Sequence, residues 1–319
     1  VNGEAISPPA DMRANTIEAE LIAVICAVAG NEPSVLAIRD GRLLPSGPFE
    51  TEHRSLQAGL RAWVERQTHH PLGYVEQLYT FADRDRSPGG GERRVISISY
   101  LGLTRQSGVA DGAGGSWRGW YWYFPWEDWR DGPPSIIAKV IAPWLRAWAA
   151  EAPDATTRRD RLWRARVNFG LAGLPWNEEL VLQRYELLFE AGLVPEAIRR
   201  GQEAREAAPG EAMLHDHRRI LATAIARLRA KIKYRPVIFE LMPPSFTLLQ
   251  LQRAVEALAG QPLHKQNFRR LIDSQALVEE TGEVDTETGG RPAKLFRFRQ
   301  QVLLERAVAG TKLPLARSF

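Results

Sequence analysis

Residues 246–278 read FTLLQLQRAVEALAGQPLHKQNFRRLIDSQALV, and this stretch carries two helices and a tight turn in its own spacing. Thr247 is placed to cap a helix with Gln250 three positions on, while Phe246 and Leu251 stand as a hydrophobic staple across the same end. Leu248, Leu251, Val255 and Leu258 recur at helical spacing and predict one buried stripe, which stops at Gly260, Gln261 and Pro262. A second helix is expected from His264 to Ser274, burying Phe268, Leu271 and Ile272 and leaving Lys265, Gln266, Asn267, Arg269 and Arg270 toward solvent. Leu277 and Val278, a polar tip and a strand over Ala293–Phe298 complete a two-stranded ribbon.

Helix, short turn, helix and ribbon make a winged helix-turn-helix, whose second helix enters the major groove of duplex DNA. The exposed residues suit that task. Arg presents a fork to guanine, Gln or Asn pairs with adenine, and Lys positions a phosphate. Glu279, Glu280, Glu283, Asp285 and Glu287 make the ribbon acidic, which leaves Arg291 and Lys294 as its groups able to touch phosphate. The same architecture also serves protein interaction.

Working back along the chain, residues 47–69 read GPFETEHRSLQAGLRAWVERQTH. Leu56, Leu60, Trp63, Val64 and Gln67 predict an amphipathic helix over 55–68, with Arg61 and Glu65 at the i,i+4 spacing of an ion pair. The spacing of this stretch resembles a Nudix box, G-x5-E-x7-R-E-U-x-E-E-x-G-U. Gly47, Arg61, Trp63 and Glu65 keep their places; His53, Ala62, Arg66 and Thr68 do not. A hydrolase of that kind holds Mg²⁺ with clustered carboxylates, because a hard cation needs several oxygen ligands. One Glu beside an Arg is a poor site for it. We therefore expect no catalytic residues and no resident metal, with Glu65 and Glu76 as the acidic groups that a Mg²⁺-dependent diphosphate hydrolase, the alternative, would have to use. Leu44-Pro45-Ser46-Gly47 forms the turn before the helix, and the runs Ile22–Val28 and Val35–Ile38 flank a turn at 30–33, giving strand, turn, strand.

The 319 residues give room for two domains and a further small one, and 44% hydrophobic content fills ordinary cores. The longest apolar run, Leu21 to Ala29, falls well short of the roughly 20 residues that cross a bilayer, and no basic-then-apolar leader precedes it. A lone cysteine, Cys26, forms no internal disulfide and is expected in the core of a cytoplasmic protein. The net charge of +4 permits a polyanionic partner without requiring one.

Residues 1–15 are expected as a loose lead-in and 16–133 as mixed strand and helix, with strands at Tyr74–Phe81 and Val95–Leu103. Two glycine-rich interruptions follow those strands. The dense aromatic run from Trp117 to Trp129 is expected to fill a core or an interface. Residues 134–211 are helical, one helix capped by Asn177 and stopping at Gly192, and the arginines between 158 and 166 are expected on a solvated face. A further helix runs from Asp216 to Lys233. His215, Asp216 and His217 lack the i,i+4 spacing of a zinc helix and are expected to start and pack it.

Taken together, the damaged box, Gly73–Phe81, the helix from Asp216, Tyr234–Glu240 feeding Phe246-Thr247-Leu248, Asn267-Phe268-Arg269-Arg270 and Gly290-Arg291-Pro292-Ala293 resemble the Nudix-related transcriptional regulators of NAD metabolism, the NrtR-like family. The extra helical segment is similar to that of the longer NadQ-type repressors of de novo NAD synthesis. The resemblance implies an α+β chain: a Nudix-like α/β/α sandwich over 16–133 completed by a helix at 212–234, a helical insertion at 134–211, and a winged helix at 235–319. It implies a homodimer that represses NAD biosynthesis genes from an inverted-repeat operator in duplex DNA. Its effector would be an NAD-related nucleotide (NAD, ADP-ribose or ATP) bound near Arg42, Arg61, Glu65, Tyr79 and Phe81.

Overall fold

The structure is a computed structural model, and it describes residues 17–83, 94–106, 114–200, 208–232, 237–286 and 292–299. Strand β1 (Ile17–Ala29) is the axis of the core. It pairs in parallel with β5 (Arg94–Leu103) along one side, and antiparallel with β2 (Glu32–Ile38) and β3 (Ser46–Pro48) at opposite ends of the other. With β4 (Tyr74–Phe81) outside β5 and β6 (Gly115–Gly119) outside β2, the sheet order is β4-β5-β1-β2-β6.

The near-continuous apolar run of β1 is explained by cover on both faces. Leu21, Ala23 and Ile25 pack with Leu60 and Val64 of helix α1 (Leu56–Thr68). Ile22, Val24 and Cys26 join the larger core on the other face, where α6 (His217–Ile232) and α7 (Leu248–Ala259) both touch β1. The layering is thus α/β/α. Cys26 is fully buried, and that burial pushes its thiol up to about 12. We expect no reaction of the native protein with a thiol reagent at about pH 8, and one equivalent after denaturation; rapid native labelling would contradict the two-sided cover of β1.

Much of the aromatic run is core, but Trp122 is exposed, and past β6 the run is helical. Trp120–Tyr123 forms the short α2, and Trp120, Tyr121, Tyr123, Phe124 and Trp126 are buried. Helices α3 (Ala142–Ala150), α4 (Ala155–Phe169) and α5 (Val181–Glu190) follow and pack in series onto α6. Asn177 receives the Glu179 N–H at 3.0 Å, so it fixes the turn before α5, whose N-cap is Leu180. The arginine face of α4 is only partly solvated. Arg161 donates to the Trp148 carbonyl, and Arg164 to Asp160 and Glu190.

The C-terminal unit has α7, α8 (Lys265–Ser274), β7 (Val278–Asp285) and β8 (Ala293–Phe298). The Thr247–Gln250 capping box forms with both hydrogen bonds, at 2.7 and 3.2 Å. The ribbon differs from expectation: Glu279, Glu280, Glu283 and Asp285 belong to strand β7, and Glu287 lies outside the described residues. Cross-strand pairs Glu279–Arg297 and Glu280–Lys294, at 2.8 and 2.9 Å, offset the poor strand preference of Glu. Among the described residues no helix is long and apolar enough to cross a membrane.

Candidate functional site

Helix α1 keeps the box geometry with new residues. Ser55 caps it by accepting the Ala58 N–H at 3.1 Å, and His69 closes it in the left-handed region. Gly47 survives for a steric reason: a Cβ there would stand 2.2 Å from the Trp63 ring, whose indole N–H donates to the Pro48 carbonyl at 2.9 Å. His53 accepts the Glu50 N–H at 3.0 Å through Nδ1 and stacks on Phe49. Thr68 is buried and donates to the Val64 carbonyl at 2.7 Å. Gln67 clasps both the N–H and the carbonyl of Ser46. The first carboxylate position of the box, His53, is now part of the scaffold.

The predicted ligand residues do not all converge. Arg61 does not pair with Glu65; it donates to the carbonyls of Leu72 and, at 2.9 Å, of Gly73, which ties α1 to the start of β4. Glu65 is exposed, and Glu76 forms an ion pair with Lys231 on α6. Arg42 is exposed, and its backbone carbonyl receives the Leu214 N–H at 2.8 Å. Tyr79 is exposed with its ring 4.8 Å from that of buried Phe81, and a bulge between Gln77 and Tyr79 gives β4 that twist.

Phe81 alone of the five lines a cleft on the face opposite α1. Its floor is Glu20, Ile22, Val95 and Ser97, and its roof the start of α6 at His215–His217. Burial raises the pKa of Glu20, with hydrogen bonds from Ser46 and Ser97 acting against that rise. Arg219 binds Asp83 and Glu186, both at 2.5 Å, and Asp216 at 3.1 Å, and lies over the Phe81 ring. Buried His217 packs as expected and also accepts the Leu44 N–H at 2.9 Å through Nδ1, so that nitrogen carries no proton. Glu18 and Glu20 both interrupt the apolar run of β1, so the sequence did not single out Glu20; nothing local marked Asp83 or Ser97. Among the described residues no group of three or more His, Cys, Asp or Glu side chains could hold a metal ion.

On α8, Phe268 and Ile272 face inward, while Lys265, Gln266, Asn267, Arg269 and Arg270 are exposed. Among the described residues, none of those five side chains is held by another. Leu271 is only partly buried. Lys294 on β8 is engaged by both carboxylate oxygens of Glu280 at 2.9 Å, and Arg291 lies outside the described residues.

Residues 238–298 match the model of the NrtR DNA-binding winged helix domain. The chain thus joins a Nudix-like core to a winged helix, and the likeness to that domain model covers the winged helix alone. A curated relative, the ADPR responsive transcriptional repressor NtrR of Acinetobacter baylyi, is 43% identical over 86 residues; this covers 27% of the present chain and 34% of that protein, so the chain spans about a third of the relative it matches. Across nearly the whole chain, the fold is similar to that of Shewanella oneidensis NrtR crystallised with a 27mer DNA, with a TM-score of 0.53 at 19% identity, covering 92% of this chain and 99% of that one. A MutT/nudix family protein of Enterococcus faecalis is similar with a TM-score of 0.52 at 14% identity, covering 92% and 90%.

Proposed function

We propose that this chain is a transcriptional repressor of NAD biosynthesis genes, of the longer NadQ-type, acting in the cytoplasm as a homodimer on an inverted-repeat operator. The observation that carries the proposal is α8: five polar or cationic side chains stand outward from a helix whose other face is buried in an NrtR-type winged helix. Arg269, Arg270, Gln266 and Asn267 have the chemistry to read base edges, and Lys265 to hold a phosphate. Lys294 would have to release Glu280 to join them, and Arg291 is assigned by sequence alone.

The Nudix-like domain acts in this proposal as a sensor that does not cut. Arg42 would bind phosphate, with Tyr79 against a ring and Phe81 behind it; Arg61 and Glu65, assigned to the ligand by sequence, stand on α1 across the sheet from the Phe81 cleft and would not border that site. The hydrolase alternative is weakened by the Glu76–Lys231 ion pair, since Glu76 would have to exchange an ammonium for Mg²⁺.

A thermal-shift series with NAD, nicotinamide mononucleotide, ADP-ribose, ATP and nicotinic acid derivatives tests the sensor, because selective binding to the folded state raises the melting temperature by mass action. We expect at least one dinucleotide or adenylate to shift melting at millimolar concentration, with no steady turnover in Mg²⁺. Silence from every compound removes the sensor role. Turnover abolished by Glu65→Gln would replace the repressor with the hydrolase.

A further inference from the structure

The last turn of α7 ends inside the protein. A helix leaves its final carbonyls without intrahelical donors, and here the core supplies them. Tyr121 donates its hydroxyl to the Ala257 carbonyl at 2.5 Å, Arg229 donates Nε–H to the Leu258 carbonyl at 3.0 Å, and the Trp129 N–H reaches the Gly260 carbonyl at 2.7 Å. Gly260 has a φ of +71°, and a Cβ there would stand 2.4 Å from the Glu127 carbonyl oxygen.

Behind that turn lies a fully buried charge cluster. Glu127 accepts Arg184 Nε–H and Nη2–H at 2.5 and 2.8 Å, and Arg229 Nη1–H at 2.6 Å. Both cations share that one carboxylate by hydrogen bond, and backbone carbonyls take further donors of each. Arg184 also donates to the backbone carbonyls of Asn168 and Asn177 at 2.9 Å, and Arg229 to that of Glu178 at 3.0 Å. The donors and acceptors come from the core, the α4–α5 segment, α6 and α7. On the other side of Gly260, Glu256 accepts the Leu263 N–H at 2.8 Å and Gln252 donates to the Leu263 carbonyl at 3.1 Å, which leaves little slack before α8 begins.

We infer that Tyr121, Glu127, Arg184 and Arg229 form a positioning joint that sets where α8 stands relative to the Nudix-like core, and that α4 and α5 serve the DNA-reading unit through Arg184. Buried ion networks contribute little net stability compared with well-packed apolar groups; their attested use is to enforce one arrangement among several. The word DNA-reading rests on the function proposed above, whereas the joint itself does not.

The test uses the full chain with Gln57→Cys on α1 and Asp273→Cys on α8, both exposed positions, carrying spin labels and diluted with unlabelled protein. Buried Cys26 stays unlabelled. We expect one narrow distance distribution in this parent. Tyr121→Phe, which is nearly isosteric and removes only the hydroxyl, should broaden it or add a second distance while melting shifts by a few degrees and helix content is unchanged. Glu127→Gln should broaden it further where it folds. Operator affinity, measured on a sequence selected from random duplexes by the wild-type protein, should fall about tenfold in Tyr121→Phe. A distribution that stays narrow in Tyr121→Phe overturns the joint, as does one already broad in the parent. If the parent selects no DNA, the repressor proposal fails and the distance result still decides the joint.

Discussion

Glu127→Ala is expected to lower the unfolding free energy by about 3–5 kcal/mol, because it strands two buried guanidinium groups without their counter-charge. Arg184 and Arg229 are both wholly inaccessible, and Glu127 is 1% exposed. Burial already lowers the pKa of Arg184 despite Glu127 beside it; Arg229 is also opposed by burial, yet Tyr121 and Glu127 leave its pKa raised. Natural domains hold only about 5–15 kcal/mol in reserve, so the loss should appear as a large fall in the urea midpoint. The triple change Glu127→Leu, Arg184→Met, Arg229→Met should recover most of it, since it removes the charges together and keeps apolar volume. A loss below about 1 kcal/mol in Glu127→Ala would show that water or rearranged carbonyls can stand in for the carboxylate.

The contrast between that cluster and the capping box explains what the sequence discloses. Thr247 and Gln250 are three residues apart, and both hydrogen bonds are local, so pattern alone locates the start of α7. Glu127 pairs with Arg184 and Arg229 across 57 and 102 residues, and no periodicity links such positions. The strands were legible for the same reason as the cap: β1 and β2 are apolar runs bounded by a turn. Which face of β1 meets α1 depends on pairing, and so does the cleft at Glu20. The acidic ribbon misleads in isolation because Arg297 and Lys294, which support β7 by cross-strand pairs, lie beyond the turn. Arg61 is a similar case. Its helical spacing to Glu65 is real, but the carbonyls of Leu72 and Gly73 offer a geometry that an exposed carboxylate does not improve on.

Arg269→Ala is expected to weaken operator binding by about 1–3 kcal/mol and to relax preference at one position of each half-site, as loss of a bidentate contact to a guanine edge does. Lys265→Ala should behave differently. It lies in the first turn of α8, and a phosphate contact there releases counterions without reading a base, so all duplexes should weaken alike and the dependence on salt should flatten. On the ribbon, Lys294 pairs with Glu280 and Arg297 with Glu279, so a phosphate contact by either would first have to displace a carboxylate. Two such helices on a two-fold dimer would stand roughly 34 Å apart, or a multiple of it, which predicts inverted half-sites spaced by whole turns of DNA. Titrations of both variants at several salt concentrations, on selected and scrambled duplexes, separate the two roles. Wild-type behaviour in both variants would remove α8 as the reading helix and leave the winged helix as a surface for another protein, where Arg269 and Arg270 would meet carboxylates in place of guanine and the salt dependence would no longer track the length of the duplex.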